Sequence, residues 1–209
     1  MRNILKCLAL VGAICTAHSQ GTTEAVTGYT IPSASGIWPG TAGWAFTPTT
    51  NLSVSSLGCL QYLVSGPTGQ GDMLVGLWAS GGLTRLAAVT ITATNPLVNF
   101  TYYAAINQVF LSAGSTYYVG IYSASGSVLV NLVTQNVDGS ATLSPEIHLV
   151  GSATGTPGFT YPGTIGANNT LFLGPNFQYQ AVVPEPSALA LVSLGAVGWA
   201  FLRRARRGA

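Results

Sequence analysis

The basic residues of this chain are confined almost entirely to its two ends, and this restricts the fold more than any other feature of the sequence. Arg2 and Lys6 precede one apolar stretch, and Arg203, Arg204, Arg206 and Arg207 follow another. The chain therefore divides into an N-terminal leader, a nearly uncharged body and an apolar tail. We place these three parts at residues 1–19, 20–182 and 183–209.

The leader has the pattern of a secretory signal peptide. A positive start is followed by a short apolar run, Cys7–Cys15, and then by the small residues Ala17 and Ser19. Small residues at positions −3 and −1 predict cleavage after Ser19 by the general secretion route, with the secretion translocon as a partner. The run is too short for a membrane span, which needs about 20 residues. A lipid anchor on Cys15 is the alternative, although Ile14 is bulkier than the small residue that usually precedes such a cysteine.

The tail is predicted to form a single transmembrane helix over residues 187–202. Its charge-free apolar part has about 15 residues and is roughly 22 Å long as a helix. That length is slightly less than the bilayer core of about 30 Å, a mismatch that snorkelling arginines and local thinning can absorb. The cluster at residues 203–207 favours a cytoplasmic C-terminus and acts as a stop-transfer signal, which leaves the body outside.

The segment before this helix is held extended by two prolines, in the order Val183, Pro184, Glu185 and Pro186. This order of Pro-Glu-Pro, short helix and arginines resembles the PEP-CTERM sorting signal, also called the ice-binding protein C-terminal domain. The resemblance implies a Gram-negative bacterium and recognition by an exosortase, a membrane enzyme that processes the tail. It also implies residence in the inner membrane before processing, and at the cell surface or in the extracellular matrix afterwards. An ordinary C-terminal anchor is the alternative.

The body alternates β-branched and aromatic residues with Gly, Pro, Asn and Ser clusters, which predicts strands joined by turns. We predict one all-β domain, an antiparallel β-sandwich or jelly-roll-like fold, with no stretch of helical period. Residues 151–170 are rich in Gly and Pro and are expected to form a long loop before a final strand at Leu171–Tyr179. The predicted earlier strands are 54–64, 73–78, 86–92, 100–104, 115–122 and 128–134.

Part of the body resembles a second family. Five short pieces occur in a fixed order, at residues 43–46, 54–58, 75–78, 100–102 and 111–120. They are similar to the DUF4082-type β-sandwich found in exported bacterial proteins with this kind of tail. In that family a polar or charged residue often precedes the strand at 75–78, whereas Met73 and Leu74 stand here. The family brings no catalytic residues.

The body contains few groups that could do chemistry. Its one basic residue, Arg85, gives no patch to neutralise phosphates, so we expect no nucleic-acid binding. His148 is the body's one histidine, so we expect no metal centre and no cofactor. Ser144, Glu146 and His148 would share one face at strand spacing, yet residues in line on a strand are poorly placed for a catalytic relay. Cys59 is expected to be a buried, inert thiol. We therefore predict no catalytic residues and no enzyme.

Two functional hypotheses remain. The first is a structural or interaction protein of the cell surface, extracellular matrix or biofilm. The second is a lectin-like module that binds polysaccharide by stacking a sugar on Trp38, which lies beside Pro39 and Gly40. Thr90, Thr92 and Thr94 are expected to share one strand face, a row that is too short for an ice-binding surface.

Overall fold

A computed structural model describes residues 21–29, 36–65, 71–82, 84–123, 128–134, 141–168 and 170–182. Within these ranges the chain forms sixteen strands and one short helix, α1, at Gln61–Ser65. The first eight strands are β1 (Thr23–Glu24), β2 (Val26–Tyr29), β3 (Gly36–Trp38), β4 (Gly40–Pro48), β5 (Leu52–Leu60), β6 (Met73–Ala79), β7 (Arg85–Ile91) and β8 (Leu97–Val98). The others are β9 (Thr101–Leu111), β10 (Tyr117–Ser123), β11 (Val128–Thr134), β12 (Ala141–Leu143), β13 (Ile147–Pro157), β14 (Thr164–Asn168), β15 (Thr170–Leu173) and β16 (Pro175–Ala181).

Two large antiparallel sheets hold most of these strands. One has five strands in the order β1-β16-β5-β9-β8, and the other has six in the order β14-β13-β4-β10-β6-β7. A three-stranded sheet, β15-β11-β3, and a two-stranded sheet, β12-β2, complete the described part. The prediction of an all-β fold with antiparallel sheets is confirmed.

Aromatic side chains from the two large sheets meet in a common core. Phe177 of the five-stranded sheet lies 4.9 Å from Phe46 and 5.9 Å from Trp44, ring centre to ring centre, and both of those belong to the six-stranded sheet. The Trp44 indole also donates a 3.0 Å hydrogen bond to the carbonyl oxygen of Pro175 across the same interface. This packing is consistent with the predicted β-sandwich.

Strand alternation decides which side chains reach this core. In β10 the side chains of Tyr117, Val119 and Ile121 belong to the main core, whereas Tyr118 points to the opposite face. The opposite face is also covered, because the connection from β13 to β14 brings Phe159 and Tyr161 onto Tyr118 and Trp78. Covering on both sides explains why nearly every residue of β4 is buried.

The structure corrects the prediction of a long loop at residues 151–170. Strand β13 runs to Pro157 and β14 begins at Thr164, and the two pair as a hairpin, so the connection is short. Gly155, one of the glycines in this segment, lies in a closely packed position instead. A Cβ on Gly155 would lie 2.7 Å from the Thr160 hydroxyl oxygen, and one on Gly40 would lie equally close to the carbonyl oxygen of Gly155.

Two further predictions about the body were wrong in detail. The expected final strand at Leu171–Tyr179 is two strands, β15 and β16, which belong to different sheets and are separated at Gly174. The alternation that suggested a strand through Val64 instead ends at Leu60, where α1 begins and buries Leu63 and Val64. One turn of helix is too short to leave a helical period in the sequence.

Candidate functional site

The point where the chain leaves the folded domain lies directly beside the predicted sorting tail. Strand β16 is fixed between β1 and β5, and its last residue, Ala181, pairs with Leu52. The N–H of Val182 then donates a 2.7 Å hydrogen bond to the carbonyl oxygen of Asn51. The predicted motif Val183–Pro186 begins at the next residue. The motif, the predicted helix, the arginines and the predicted cleavage-site residues Ala17 and Ser19 all lie outside the described residues.

Two loops surround this exit and are hydrogen-bonded to each other and to β4. We call residues 49–51 and 112–116 the exit surface. The N–H of Ala113 donates to Asn51 Oδ1, and that of Gly114 to the carbonyl oxygen of Pro48, each at 2.9 Å. No residue of the exit surface is charged, and most of its side chains are exposed. The exit surface is therefore uncharged and rich in hydroxyl groups, and its loops are held in place by hydrogen bonds.

Ser144, Glu146 and His148 border this end, but they do not share a strand face as predicted. Ser144 and Glu146 belong to a turn, since β13 begins only at Ile147. The buried Ser144 hydroxyl donates to the carbonyl oxygen of Glu24, whereas His148 is exposed. Glu146 Oε2 accepts a 2.8 Å hydrogen bond from the Tyr179 hydroxyl. Ser144 and Glu146 are thus engaged in structural contacts.

Trp38, the predicted sugar-stacking residue, is half-buried at the end of β3. Its indole N–H donates a 3.2 Å hydrogen bond to the carbonyl oxygen of Gly155, and its ring packs against the main core. The exposed part of the ring remains the part that could contact a ligand.

A second aromatic cluster lies on the outer face of the six-stranded sheet. Phe159 packs edge-on against Trp78 with 5.4 Å between ring centres, and Tyr161 packs likewise against Tyr118 at 4.9 Å. The Arg85 guanidinium lies 5.1 Å above the Phe159 ring. Burial raises the pKa of Tyr161 to about 12. The basic residue of the body therefore contributes to packing at this cluster.

The hairpin of β8 and β9 carries the clearest exposed apolar group, which sequence reasoning missed. Phe100 is 67% exposed, and the neighbouring Leu97 and Val98 are exposed as well. Asn99 and Phe100 form the turn with positive φ angles of 43° and 65°, a conformation that is costly for a side chain such as Phe. Asn99 also donates a 3.3 Å hydrogen bond to Glu24 Oε2. The pattern Leu97-Val98-Asn99-Phe100 contained a turn signal, but its exposure depends on the tertiary fold.

The Thr90–Thr94 row is not the continuous strand face that was predicted. Strand β7 ends at Ile91, and Thr92 begins a turn in which its N–H donates to Asn95 Oδ1 at 2.7 Å. The hydroxyl oxygens of Thr92 and Thr94 lie 2.7 Å apart within that turn. Thr90 therefore lies in β7, whereas Thr92 and Thr94 belong to the turn that follows, and the three do not form a flat row.

Cys59 is fully buried, as predicted, and its burial raises the pKa of its thiol. The described residues include no group of three or more His, Cys, Asp or Glu side chains placed to hold a metal ion. In the same ranges no helix is long and apolar enough to cross a membrane.

Comparison with known families places a specific signal at the exit. The model of the PEP-CTERM protein-sorting motif matches residues 182–207. This match confirms the interpretation of the tail as a PEP-CTERM signal, and it begins at the residue whose N–H is bonded to Asn51. No curated protein matches the chain at a significant level. The motif indicates an exported protein that is sorted to the cell surface and processed by an exosortase.

Proposed function

We propose that this chain is an exported structural or interaction protein of the cell surface, extracellular matrix or biofilm. The observation that carries the proposal is the PEP-CTERM match at residues 182–207, directly after a folded all-β domain. In this account the translocon exports the chain and the leader is removed after Ser19. The helix at 187–202 then holds the tail in the inner membrane, with the arginines at 203–207 in the cytoplasm.

The proposed order of events gives each part of the tail a separate task. The arginines stop translocation, because a charge forced to the bilayer centre costs about 2.5–3.5 kcal/mol. The two prolines keep Val183–Pro186 extended, and an extended, exposed peptide is what a processing enzyme can bind. Exosortase processing then frees the domain for the cell surface or matrix.

The Phe100 hairpin supports an interaction role for the domain. Phe100 is exposed and conformationally strained, and Leu97 and Val98 of the same hairpin are exposed as well. Strain of this kind is retained where the surroundings or a function require it. The hairpin lies at the end of the sandwich opposite the exit, because Thr101 begins β9 and Leu111, at its other end, pairs with Leu52. A partner bound there would face away from the processed tail.

Polysaccharide binding through Trp38 is the alternative function. A pull-down of residues 20–182 with surface polysaccharides, comparing Trp38→Ala with Phe110→Ala as an exposed aromatic control, distinguishes the two functions. Loss of binding in the Trp38 variant alone would favour the lectin-like module.

Mass spectrometry of the mature termini tests the export route. We expect an N-terminus at Gln20 and a C-terminus near the Pro-Glu-Pro motif. Recovery of Met1, or of a lipid-modified Cys15, would contradict the proposed leader.

A further inference from the structure

The distance between the folded domain and the sorting motif is very short. Val182 is fixed by its hydrogen bond to Asn51, and only Val183 separates it from Pro184. Two residues of fully extended chain span at most about 7 Å. A protein that binds Pro184, Glu185 and Pro186 must therefore approach the exit surface, since there is no linker to separate them.

The exit surface has the properties of a rigid contact surface. Its two loops are joined by the hydrogen bond from the Ala113 N–H to Asn51. The Gly114 N–H donates to the carbonyl oxygen of Pro48 in β4, and the Thr49 N–H donates to that of Glu146 in the turn before β13, each at 2.9 Å. Ser112 is also fixed, because its N–H donates to the Tyr117 hydroxyl at 2.9 Å. A preorganised surface can be bound without the entropic cost of ordering its loops.

The chemistry of the exit surface favours a neutral, hydrogen-bonding partner. Thr49, Thr50, Asn51, Ser112 and Ser115 supply hydroxyl and amide groups without a charge. The carboxylate at the rim, Glu146, is already bonded to Tyr179, and Arg85 lies over Phe159 on the outer face of the six-stranded sheet. An anionic lipid surface would attract basic loops, which the exit surface lacks.

From this geometry we propose that the exit surface, residues 49–51 and 112–116, is a second contact surface for the exosortase. The enzyme binds the Pro-Glu-Pro motif and the end of the sandwich together, so substrate recognition includes the folded state of the domain. This inference rests on the proposed processing of the tail.

Two changes in the full-length chain test the contact, with processing rate in the exosortase-bearing host as the measurement. Ala113→Glu adds a charge to the exit surface and should slow processing by roughly fivefold, the effect of disrupting a significant interface residue. Ala93→Glu is the matched control, since Ala93 is an exposed turn residue at the opposite end. The tail of this control variant should be processed at the same rate as that of the parent chain.

The second change inserts six alternating glycine and serine residues between Val182 and Val183. It leaves the domain and the motif intact but lowers the effective concentration of one contact relative to the other. We expect processing to slow by roughly threefold or more. The proposal would be overturned if the insertion and Ala113→Glu both left the processing rate unchanged. It would also be overturned if the insertion made processing faster, because that would indicate that the domain obstructs the enzyme.

The Ala113→Lys variant tests whether the exit surface contacts the exosortase or the lipid surface. A charge of either sign should slow processing if the exit surface contacts the enzyme. Faster processing with Lys and slower processing with Glu would assign the surface to anionic lipid and overturn the proposal.

A variant with Ala at Pro184, Glu185 and Pro186 distinguishes failure of the proposed exosortase processing from failure of the exit-surface contact. If it is processed normally, the sorting function itself fails, whereas normal processing of the exit-surface variants alone removes only this inference.

Discussion

The backbone nitrogen of Val182 lies 2.7 Å from the carbonyl oxygen of Asn51 and donates a hydrogen bond to it. Val182 is also the residue at which the PEP-CTERM match begins. The strand that leads to this bond is internal to its sheet, because β16 pairs with β1 on one side and β5 on the other. The described residues therefore end directly after an internal strand, one residue before the predicted motif. Removing the tail should leave the domain intact, and removing β16 should not.

Truncation tests this boundary. Residues 20–182 should fold as a monomeric β domain that a chelator does not unfold. Residues 20–173 should not fold cooperatively, because they lack Phe177 and Tyr179 of the core. Far-ultraviolet circular dichroism with thermal unfolding measures both. A cooperative transition in the shorter chain would show that β16 is dispensable.

The sequence predicted the strands whose residues alternate and failed where glycine has a packing role. Strands β6, β7, β10 and β11 lie within two residues of their predicted bounds, because one face of each carries regular apolar residues. The Gly and Pro content of residues 151–170 predicts a loop, although residues 151–157 belong to β13 and include Gly151 and Gly155. In the folded structure both glycines lie at register shifts against β4, and a Cβ on Gly155 would lie 2.9 Å from the carbonyl oxygen of Tyr161.

The same limit applies to the candidate site. The motif Val183–Pro186 and the arginines were recognisable because their meaning depends on order along the chain. The exit surface was not, because residues 49–51 and 112–116 are far apart in sequence and meet only through the pairing of β5 with β9. Ser144, Glu146 and His148 were placed on one strand because spacing alone does not reveal the turn at Pro145.

Trp44 is predicted to be the most costly single truncation in the core. It is fully buried, contacts Phe46 and Phe177, and donates its indole N–H to Pro175. Trp44→Ala should lower the free energy of unfolding by about 3–5 kcal/mol. Phe110→Ala, at a residue that is 68% exposed, should change it by less than about 0.5 kcal/mol. Denaturant unfolding of both variants makes the comparison, and similar losses would contradict the assigned core.

Glu24 should make the domain less stable as the pH rises. The residue is 8% exposed, and its Oε1 has no hydrogen-bond partner among the described residues. Burial raises the pKa of its carboxyl above 4.5, partly offset by the hydrogen bond from Asn99. When the pKa of a carboxyl is higher in the folded state than in the unfolded state, its contribution to stability is complete below the unfolded-state pKa. That contribution is lost as the pH rises through the folded-state pKa.

Glu24→Gln should therefore unfold at a higher temperature than the parent chain at pH 7. The difference should shrink towards zero below pH 4.5, where the carboxyl is protonated in both states. Thermal unfolding across this range measures the difference. A variant that is less stable than the parent at pH 7 would show that the carboxylate has a stabilising partner.

Phe100 should be replaceable by glycine with a gain in stability. Its φ of 65° is unfavourable for a side chain but suits glycine. Phe100→Gly should raise the free energy of unfolding by about 0.5–1 kcal/mol after the entropy of the unfolded chain is included. Phe110→Gly, within strand β9, should lower it. A loss of stability in Phe100→Gly would mean that the exposed ring makes contacts that outweigh the strain.

The most direct test of exosortase sorting is the mass of the mature protein in hosts with and without the exosortase. The parent chain should lose its tail only in the host that has the enzyme. A variant with Ala at Pro184, Glu185 and Pro186 should keep its tail in both hosts and accumulate in the inner membrane, since the predicted helix and the arginines are unchanged. Identical masses and locations of the parent chain in the two hosts would contradict exosortase processing and leave a plain membrane anchor.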